Sequence, residues 1–384
     1  MTAYIRDAVR TPRAKARPDG GLAALKPQEL VAGLVDALDA RTDGAARKAD
    51  ALILGAVTQV GAQGGNIALV SKMHTGLPDA ASAFSLNHFC VSGLTAIGQA
   101  ANMIRVGDAE AVLAGGVEMM SRVPFMSDKA DYYEDAAFPF RTRYIPVVVA
   151  ADRLAEDIGV TRAEMDAAAL RSQQRAAAAA AEGSALNASL IAMNGLDREE
   201  PVRPSTTAES LADMPAAFAE LGEQYAEALN GRIIDHRHTL AHAPPMCDGA
   251  ALALVSGEAA GARARIVAYA DAGGDPQASL TAGFAALDRV LAKAELTLAD
   301  MDRIEFMEAF AVTIVKFLRE RTVDTDKVNV GGGHLAKGHP MGASGAILLS
   351  SLLDALDACQ GRFGLVVATG AQGVGAAMIV ERLA

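Results

Sequence analysis

Cys90 stands in the stretch NHFCVSGLTAIGQAANMI, residues 87–104, just ahead of a helical pattern in which Leu94, Ile97, Ala101 and Ile104 recur on one face. Ser92-Gly93 opens that pattern. The unpaired backbone N–H groups of a helix start favour negative charge. A thiol placed there is expected to ionise readily and act as a nucleophile; the plainer alternative is a small core residue. Such a nucleophile needs a proton acceptor within reach. The glycine-rich block NVGGGHLAKGHPMGASGA, residues 329–346, offers His339 between Gly338 and Pro340, followed by a second helix start. Glycines there let backbone approach a ligand closely. The block has no Gly-Lys-Ser/Thr ending, so it is not a phosphate loop, and no early strand–turn–helix carries a dinucleotide fingerprint. The residue types point to covalent chemistry by a Cys90–His339 pair.

A scaffold must bring these two distant segments together. The chain has 384 residues, 51% of them hydrophobic, which allows a large core or two stacked cores. Aromatics are 4% and Trp is absent, so small aliphatic residues must fill the interior, as in parallel α/β sheets. ADALILGAV and AEAVLAGGV read as buried strands ending in Gly, and AYIRDAVRTP as an opening strand and not a targeting signal. The uncharged run at 363–380 holds four Gly, a Thr and a Gln; it reads as two short strands about a turn, not a membrane span. From about 118 to 242 the texture changes to loop-like segments and one strong helix, RAEMDAAALRSQQRAAAA, as an insertion that covers something would. Ser92-Gly93 followed by VLAGG and Ser344-Gly345 followed by VVATG suggest two related halves. The net charge of −11, with Lys and Arg scattered, leaves no nucleic-acid footprint. Three cysteines, Cys90, Cys247 and Cys359, form no disulfide framework and fit a reducing, cytoplasmic setting.

Set together, these segments resemble a known family. NHFCVSG resembles the Asn-x-x-Cys-x-Ser-Gly nucleophile segment of thiolases, and the block at 329–346 resembles their Gly-His-Pro-x-Gly-Ala-Ser-Gly segment. MEAFA at 307–311 is similar to their Asn-Glu-Ala-Phe-Ala, and AYIRDAVRTPRAK, AGGVEMMSRVPFM, RSQQRAAAA and MCDGAALALVSG follow in family order. The resemblance implies a five-layer αβαβα fold with two duplicated halves, 1–117 plus 243–263 and 264–384, and an inserted loop domain, 118–242, over the coenzyme A site. It implies an acyltransferase acting on acyl-CoA and CoA, with no permanently bound cofactor and no metal, working as a homodimer or homotetramer away from membranes. Cys90 would carry the acyl group as a thioester, His339 would activate it, and the amides of Cys90 and Ala371 would form the oxyanion hole.

The same resemblance marks departures. The Asn of the oxyanion hole for the enolate is Met307 here, which cannot donate a hydrogen bond. The second cysteine, the acid/base for carbon–carbon bond formation, falls on Thr369, or on Val367 in a shifted alignment; Cys359 lies ten residues before Thr369. Acylation is thus expected to survive and Claisen chemistry to be impaired, leaving as alternatives a thioester hydrolase, a non-Claisen acyltransferase or a non-catalytic thiolase-like subunit. His334 and Lys337 could supply the missing base, though surface polarity is the simpler expectation for both. A CoA-contacting Ser of the family matches Pro244. Cys247 reads as buried and inert. His236, His238 and His242 have metal-like spacing without the partners a zinc site needs. Met119, Met120 and Met126 pack near an acyl pocket or fill the core.

Overall fold

Short runs of Ala, Val, Leu and Ile bounded by glycine form one sheet. In the computed structural model, which describes residues 1–383, its strands are β1 (Tyr4–Arg10), β2 (Ala14–Lys15), β3 (Ala51–Gly55), β4 (Ser82–Leu86), β5 (Ala111–Met119), β6 (Cys247–Ser256), β7 (Ala264–Gly273), β8 (Arg303–Phe306), β9 (Phe363–Thr369) and β10 (Val374–Arg382). The order is β4-β3-β5-β6-β1-β7-β10-β9-β8, with β2 beside β6. This order contains one pattern twice. β3-β5-β6-β1 and β8-β9-β10-β7 each begin with a parallel pair and continue antiparallel. The repeated connectivity is the physical form of the two related halves expected from the sequence. β1 and β7 pair at Tyr4–Arg265 and Ile5–Ala264, which joins the halves. The run at 363–380 forms β9 and most of β10, two antiparallel strands as expected.

Alternation along the strands sorts side chains between layers, because successive residues face opposite sides of a sheet. In the first half, Leu52, Leu54, Leu113, Leu252 and Leu254 pack with the helices Pro27–Arg41 and Ile67–Thr75. Ile53, Val112, Ala114, Ala253 and Val255 face a second, larger core. That core holds the helices Ser92–Val106 and Ser344–Cys359, each touching strands of both halves and each other. Helix Ala282–Ala294 covers β7, β9 and β10. The result is five layers, with two helices between the sheet halves. The segment Met341–Cys359 is apolar enough to cross a membrane by composition, but 78% of it is buried inside this core.

The two central helices meet at their first turns, where only glycine fits. A Cβ on Gly93 would lie 2.8 Å from the Gly342 carbonyl oxygen and 3.0 Å from the Ala346 nitrogen. A Cβ on Gly345 would lie 2.6 Å from the Leu94 nitrogen. These are the glycines of the two Ser-Gly pairs, so the repeat marks the contact between halves. Gly93→Ala and Gly345→Ala are each expected to cost about 1–3 kcal/mol through overpacking. Urea unfolding should show lower midpoints for both and no change for Gly273→Ala, whose Cβ would meet nothing within 4 Å. Equal midpoints for all three would contradict the close contact.

Candidate active site

The nucleophile candidate follows a strained turn. Phe89 has φ 46°, a left-handed conformation that bulky side chains rarely adopt. Three local hydrogen bonds hold it there. Phe89 N–H donates to Asn87 Oδ1 (2.9 Å), His88 N–H donates to Ser92 Oγ (2.8 Å), and Ser92 Oγ donates to the Phe89 carbonyl (2.6 Å). Cys90 is left partly exposed, ahead of the helix Ser92–Val106. The backbone N–H of Ala371 lies on the side of its sulfur and favours the charged form. Ala371 is presented by a tight turn between β9 and β10, in which Gln372 (φ 57°) and Gly373 (φ 71°) are left-handed and Gly370 N–H bonds the Val374 carbonyl at 2.9 Å. Gly370 lies flat on the nucleophile: a Cβ there would sit 3.3 Å from Cys90 Cβ.

Burial pushes the Cys90 thiol up to about 12; the Ala371 N–H opposes this and the nearby Glu118 adds to it. The expectation of a thiolate stabilised by the helix start is therefore corrected. Desolvation of the charged form outweighs the backbone N–H groups that favour it, so the resting sulfur is a protonated thiol.

His339 is fixed from both sides of its loop. Its N–H donates to the Pro245 carbonyl at 2.9 Å, and its Nδ1 is 2.7 Å from Ser344 Oγ, the first residue of the second central helix. Nε2 is buried without a partner. With Nδ1–H donated to Ser344, Nε2 is the free acceptor that a base requires. Burial, and then the charge of Arg13, bring the imidazole down to about 4, so it is neutral at pH 7. Arg13 is itself buried in a two-bond pair with Glu199, at 2.7 Å and 3.0 Å. Burial alone would raise the Glu199 carboxyl; the charge and hydrogen bonds of Arg13 outweigh it and bring it to about 2.

Comparison with known proteins gives the family and the fold. The family described as "Thiolase, N-terminal domain" matches residues 3–258, and "Thiolase, C-terminal domain" matches residues 260–382. The chain belongs to the thiolase family. A beta-ketoadipyl-CoA thiolase of Pseudomonas knackmussii is 36% identical, with 99% of each chain covered. An acetyl-CoA acetyltransferase of Escherichia coli is 34% identical over 95% of each. The crystal structure of the Bacillus anthracis acetyl-CoA acetyltransferase superposes with a TM-score of 0.84 at 28% identity, covering 100% of this chain and 99% of that one. Thiolases of this kind are acyltransferases, and the five-layer arrangement is the thiolase fold.

Within this thiolase, Met307 and Thr369 lie deep in the fold. Met307 is fully buried, and its N–H bonds the Val367 carbonyl at 2.8 Å. Thr369 ends β9, one residue before Gly370, and its Oγ1 is buried without a partner. Val367 lies deeper in the strand, opposite Phe306 and Ala377, away from the turn that meets Cys90. Cys359 ends the second central helix, its sulfur near the Leu356 carbonyl (3.6 Å). Cys247 is fully buried, and burial raises its thiol well above the usual value.

His334 and Lys337 are not surface groups. Both are buried, because the short helix His334–Lys337 is enclosed between the Gly-rich turns. The His334 ring meets the His339 ring edge-on at 5.2 Å, and neither of its nitrogens has a partner. Burial, then the neighbouring His339 and Arg13, keep it neutral. Burial, and then Arg13, also lower Lys337, against the opposing charges of Glu199 and Glu305.

The three histidines of the covering segment are divided between carboxylates. His236 and His238 each place Nδ1 at 2.7 Å from Asp152, and His242 Nε2 is 2.7 Å from Asp166. Met119 belongs to the outer core, Met120 packs with Val57, Met341 and the partly buried Phe89, and Met126 receives the Tyr144 hydroxyl at 3.7 Å. Pro244 is half-buried. Its neighbour Pro245 lines a cavity of about 430 Å³ shared with Arg203, Ser205, Thr206, Leu240 and Leu335.

Sequence reasoning missed the clamps of the site. Glu118, fully buried, accepts from the amides of Val57 (2.9 Å) and Gly342 (2.9 Å) and from Gln63 Nε2 (2.6 Å). Glu308 accepts from Ser172 Oγ (2.7 Å), Asn329 Nδ2 (3.0 Å) and Leu335 N–H (3.1 Å), which ties the Gly-rich loop to the covering helix Arg162–Ala179. The available signal was a lone acid ending an apolar strand, as in AVLAGGVEM; buried acids need several donors.

A resting thiol and neutral imidazole set the pH behaviour. Alkylation by iodoacetamide uses the thiolate. With the Cys90 value raised, the thiolate fraction keeps growing with pH far above the usual thiol range. Alkylation of Cys90, followed by intact mass, should rise about tenfold per pH unit from pH ~7 to ~10 without levelling. A plateau near neutral pH would contradict the uncharged resting sulfur.

Proposed function

We propose that the protein is a thiolase-family acyltransferase that carries an acyl group from acyl-CoA on Cys90, with His339 moving the proton, and that it performs Claisen condensation and thiolysis poorly. The observation that carries this reading is the close approach of the Gly370–Ala371 turn to Cys90, where a Cβ on Gly370 would lie 3.3 Å from Cys90 Cβ and 3.4 Å from Cys90 N. As His339 Nε2 takes the thiol proton, the sulfur attacks the thioester carbon. Negative charge then develops on the carbonyl oxygen, where preorganised N–H donors lower the barrier. The tetrahedral intermediate collapses with loss of the CoA sulfur, and His339 returns the proton to it. A thioester on Cys90 remains, along with free CoA.

The cavity beside Pro245 is assigned to the CoA arm. Leu335 and Pro245 place its inner wall on the loop that holds His339, and Arg203, Ser205 and Thr206 offer a cation and hydroxyls to an anionic ligand. We assign the chain to the cytoplasm, on its three free thiols. We assign it to a homodimer or homotetramer, supported by β4 as an open sheet edge on which Phe84 is exposed.

The second half of a Claisen reaction needs a base for the α-proton and donors for the enolate oxygen. Thr369 and Met307 supply neither: a hydroxyl is a poor base without its own activator, and a thioether donates nothing. Thr369→Cys is expected to raise acetoacetyl-CoA formation from acetyl-CoA at least about tenfold over wild type, with acylation of Cys90 unchanged. Wild-type turnover to that product in the ordinary enzyme range of roughly 1–1000 per second would refute the proposal. Steady release of CoA and free acid without condensation would favour the hydrolase.

A further inference from the structure

The chain has six tyrosines, and four of them gather in the covering segment. Tyr144 is the hub. Its ring centroid lies 4.8 Å from Tyr133, 5.8 Å from Tyr225 and 6.0 Å from Tyr132. These rings line a cavity of about 270 Å³. Three of the hydroxyls are engaged with the protein. Tyr132 donates to the Thr142 carbonyl (2.7 Å), Tyr133 to Asp128 (2.9 Å), and Tyr144 to Met126 Sδ (3.7 Å). The cavity is therefore offered aromatic carbon more than hydroxyl groups.

Its charge is negative on balance, three carboxylates against one guanidinium. Glu134, Asp135 and Glu227 line the cavity and are exposed; burial, and then the charge of Glu134, raise the Tyr225 phenol. Arg143 is the single cation of the lining, and its guanidinium is already committed. It donates to the Phe138 carbonyl at 2.8 Å and rests 4.6 Å from the centroid of the Phe140 ring. Aromatic faces attract cations through their quadrupole, and a rim of carboxylates adds to that attraction while repelling anions. Three carboxylates against one guanidinium, itself turned to the Phe138 carbonyl and the Phe140 ring, make the place less suited to an anion than to a cation. A small alkali ion would want oxygen ligands instead of ring carbon.

We propose that this cavity binds an organic cation of the alkylammonium or quaternary ammonium class, with Tyr132, Tyr133, Tyr144 and Tyr225 as walls and Glu134 and Glu227 as the charged rim. The site stands apart from Cys90 chemistry but close to it in the fold. Tyr132 Oη is 3.0 Å from Gln372 Oε1, and Gln372 follows Ala371, whose amide meets the Cys90 sulfur. The cation can thus arrive as a free amine or as the end of an acyl chain, and the inference does not rest on acyl transfer at Cys90.

The test uses choline and its uncharged carbon analogue 3,3-dimethylbutanol, titrated into the full-length protein by calorimetry and by tyrosine fluorescence, which no Trp obscures. Choline is expected to bind, and the neutral analogue to bind about tenfold more weakly. Tyr225→Leu and Glu134→Gln should each weaken choline severalfold, while Tyr144→Phe, which keeps the ring, should not. Tyr225 is half-buried and Glu134 exposed, so both variants should keep the far-ultraviolet circular dichroism of wild type. Equal binding of the two probes, no binding of choline, or choline binding untouched by Tyr225→Leu and Glu134→Gln would each overturn the proposal. The source is read in a second arm. Faster acylation of Cys90 by an acyl-CoA ending in trimethylammonium than by its tert-butyl counterpart supports the site as holder of an acyl chain end. Equal rates alongside choline binding support it as a site for a free amine.

Discussion

The close approach of the two central helix starts is the constraint on which the active site depends. Gly93 and Gly345 let the backbones of the two halves touch. Cys90 precedes one of these helices, and the His339 loop leads into the other through Ser344. A single backbone contact therefore sets the positions of two groups that are about 250 residues apart in the chain. Everything around it serves to hold that contact. Glu118 ties Gly342 to the β3 loop, Glu308 ties the Gly-rich block to the covering helix, and the turn at Gly370–Gly373 brings the Ala371 amide onto the sulfur.

The electrostatics follow from burying this arrangement. A largely enclosed thiol and a buried imidazole both favour their uncharged forms, chiefly by desolvation. Arg13 reinforces the effect at His339, and Arg13 is tolerated only because Glu199 pairs with it. Removing one partner of such a pair leaves an uncompensated buried charge, which costs about 3–5 kcal/mol. In the proposed function, the sulfur ionises only as a substrate carbonyl arrives, when the amides of Cys90 and Ala371 receive the developing charge.

Much of this was legible in the sequence, for reasons that can be named. Leu94, Ile97, Ala101 and Ile104 mark a helix because burial on one face imposes its period, and the helix runs Ser92–Val106. The paired Ser-Gly motifs were readable because nothing larger fits where the halves meet. The strand run at 363–380 betrayed itself by glycines at its turn. What could not be read was the outcome of competing local fields. The backbone N–H groups near Cys90 and the burial of Cys90 act in opposite directions, and only three-dimensional enclosure decides the winner. His334 and Lys337 failed in the same way: polar residues beside glycines look exposed, yet the loop closes over both. The histidines at 236, 238 and 242 shared a spacing but not a partner, because Asp152 and Asp166 arrive from distant helices.

The central claim is that Cys90 accepts an acyl group while the machinery for joining two of them is incomplete. The most direct measurement is the intact mass of the wild-type protein and of Cys90→Ala during incubation with acetyl-CoA alone. The account predicts a single acetyl adduct on wild type, matched by released CoA, persisting while acetyl-CoA is in excess, and missing from Cys90→Ala. The same adduct on Cys90→Ala, or a wild-type protein that neither gains mass nor releases CoA, would contradict it.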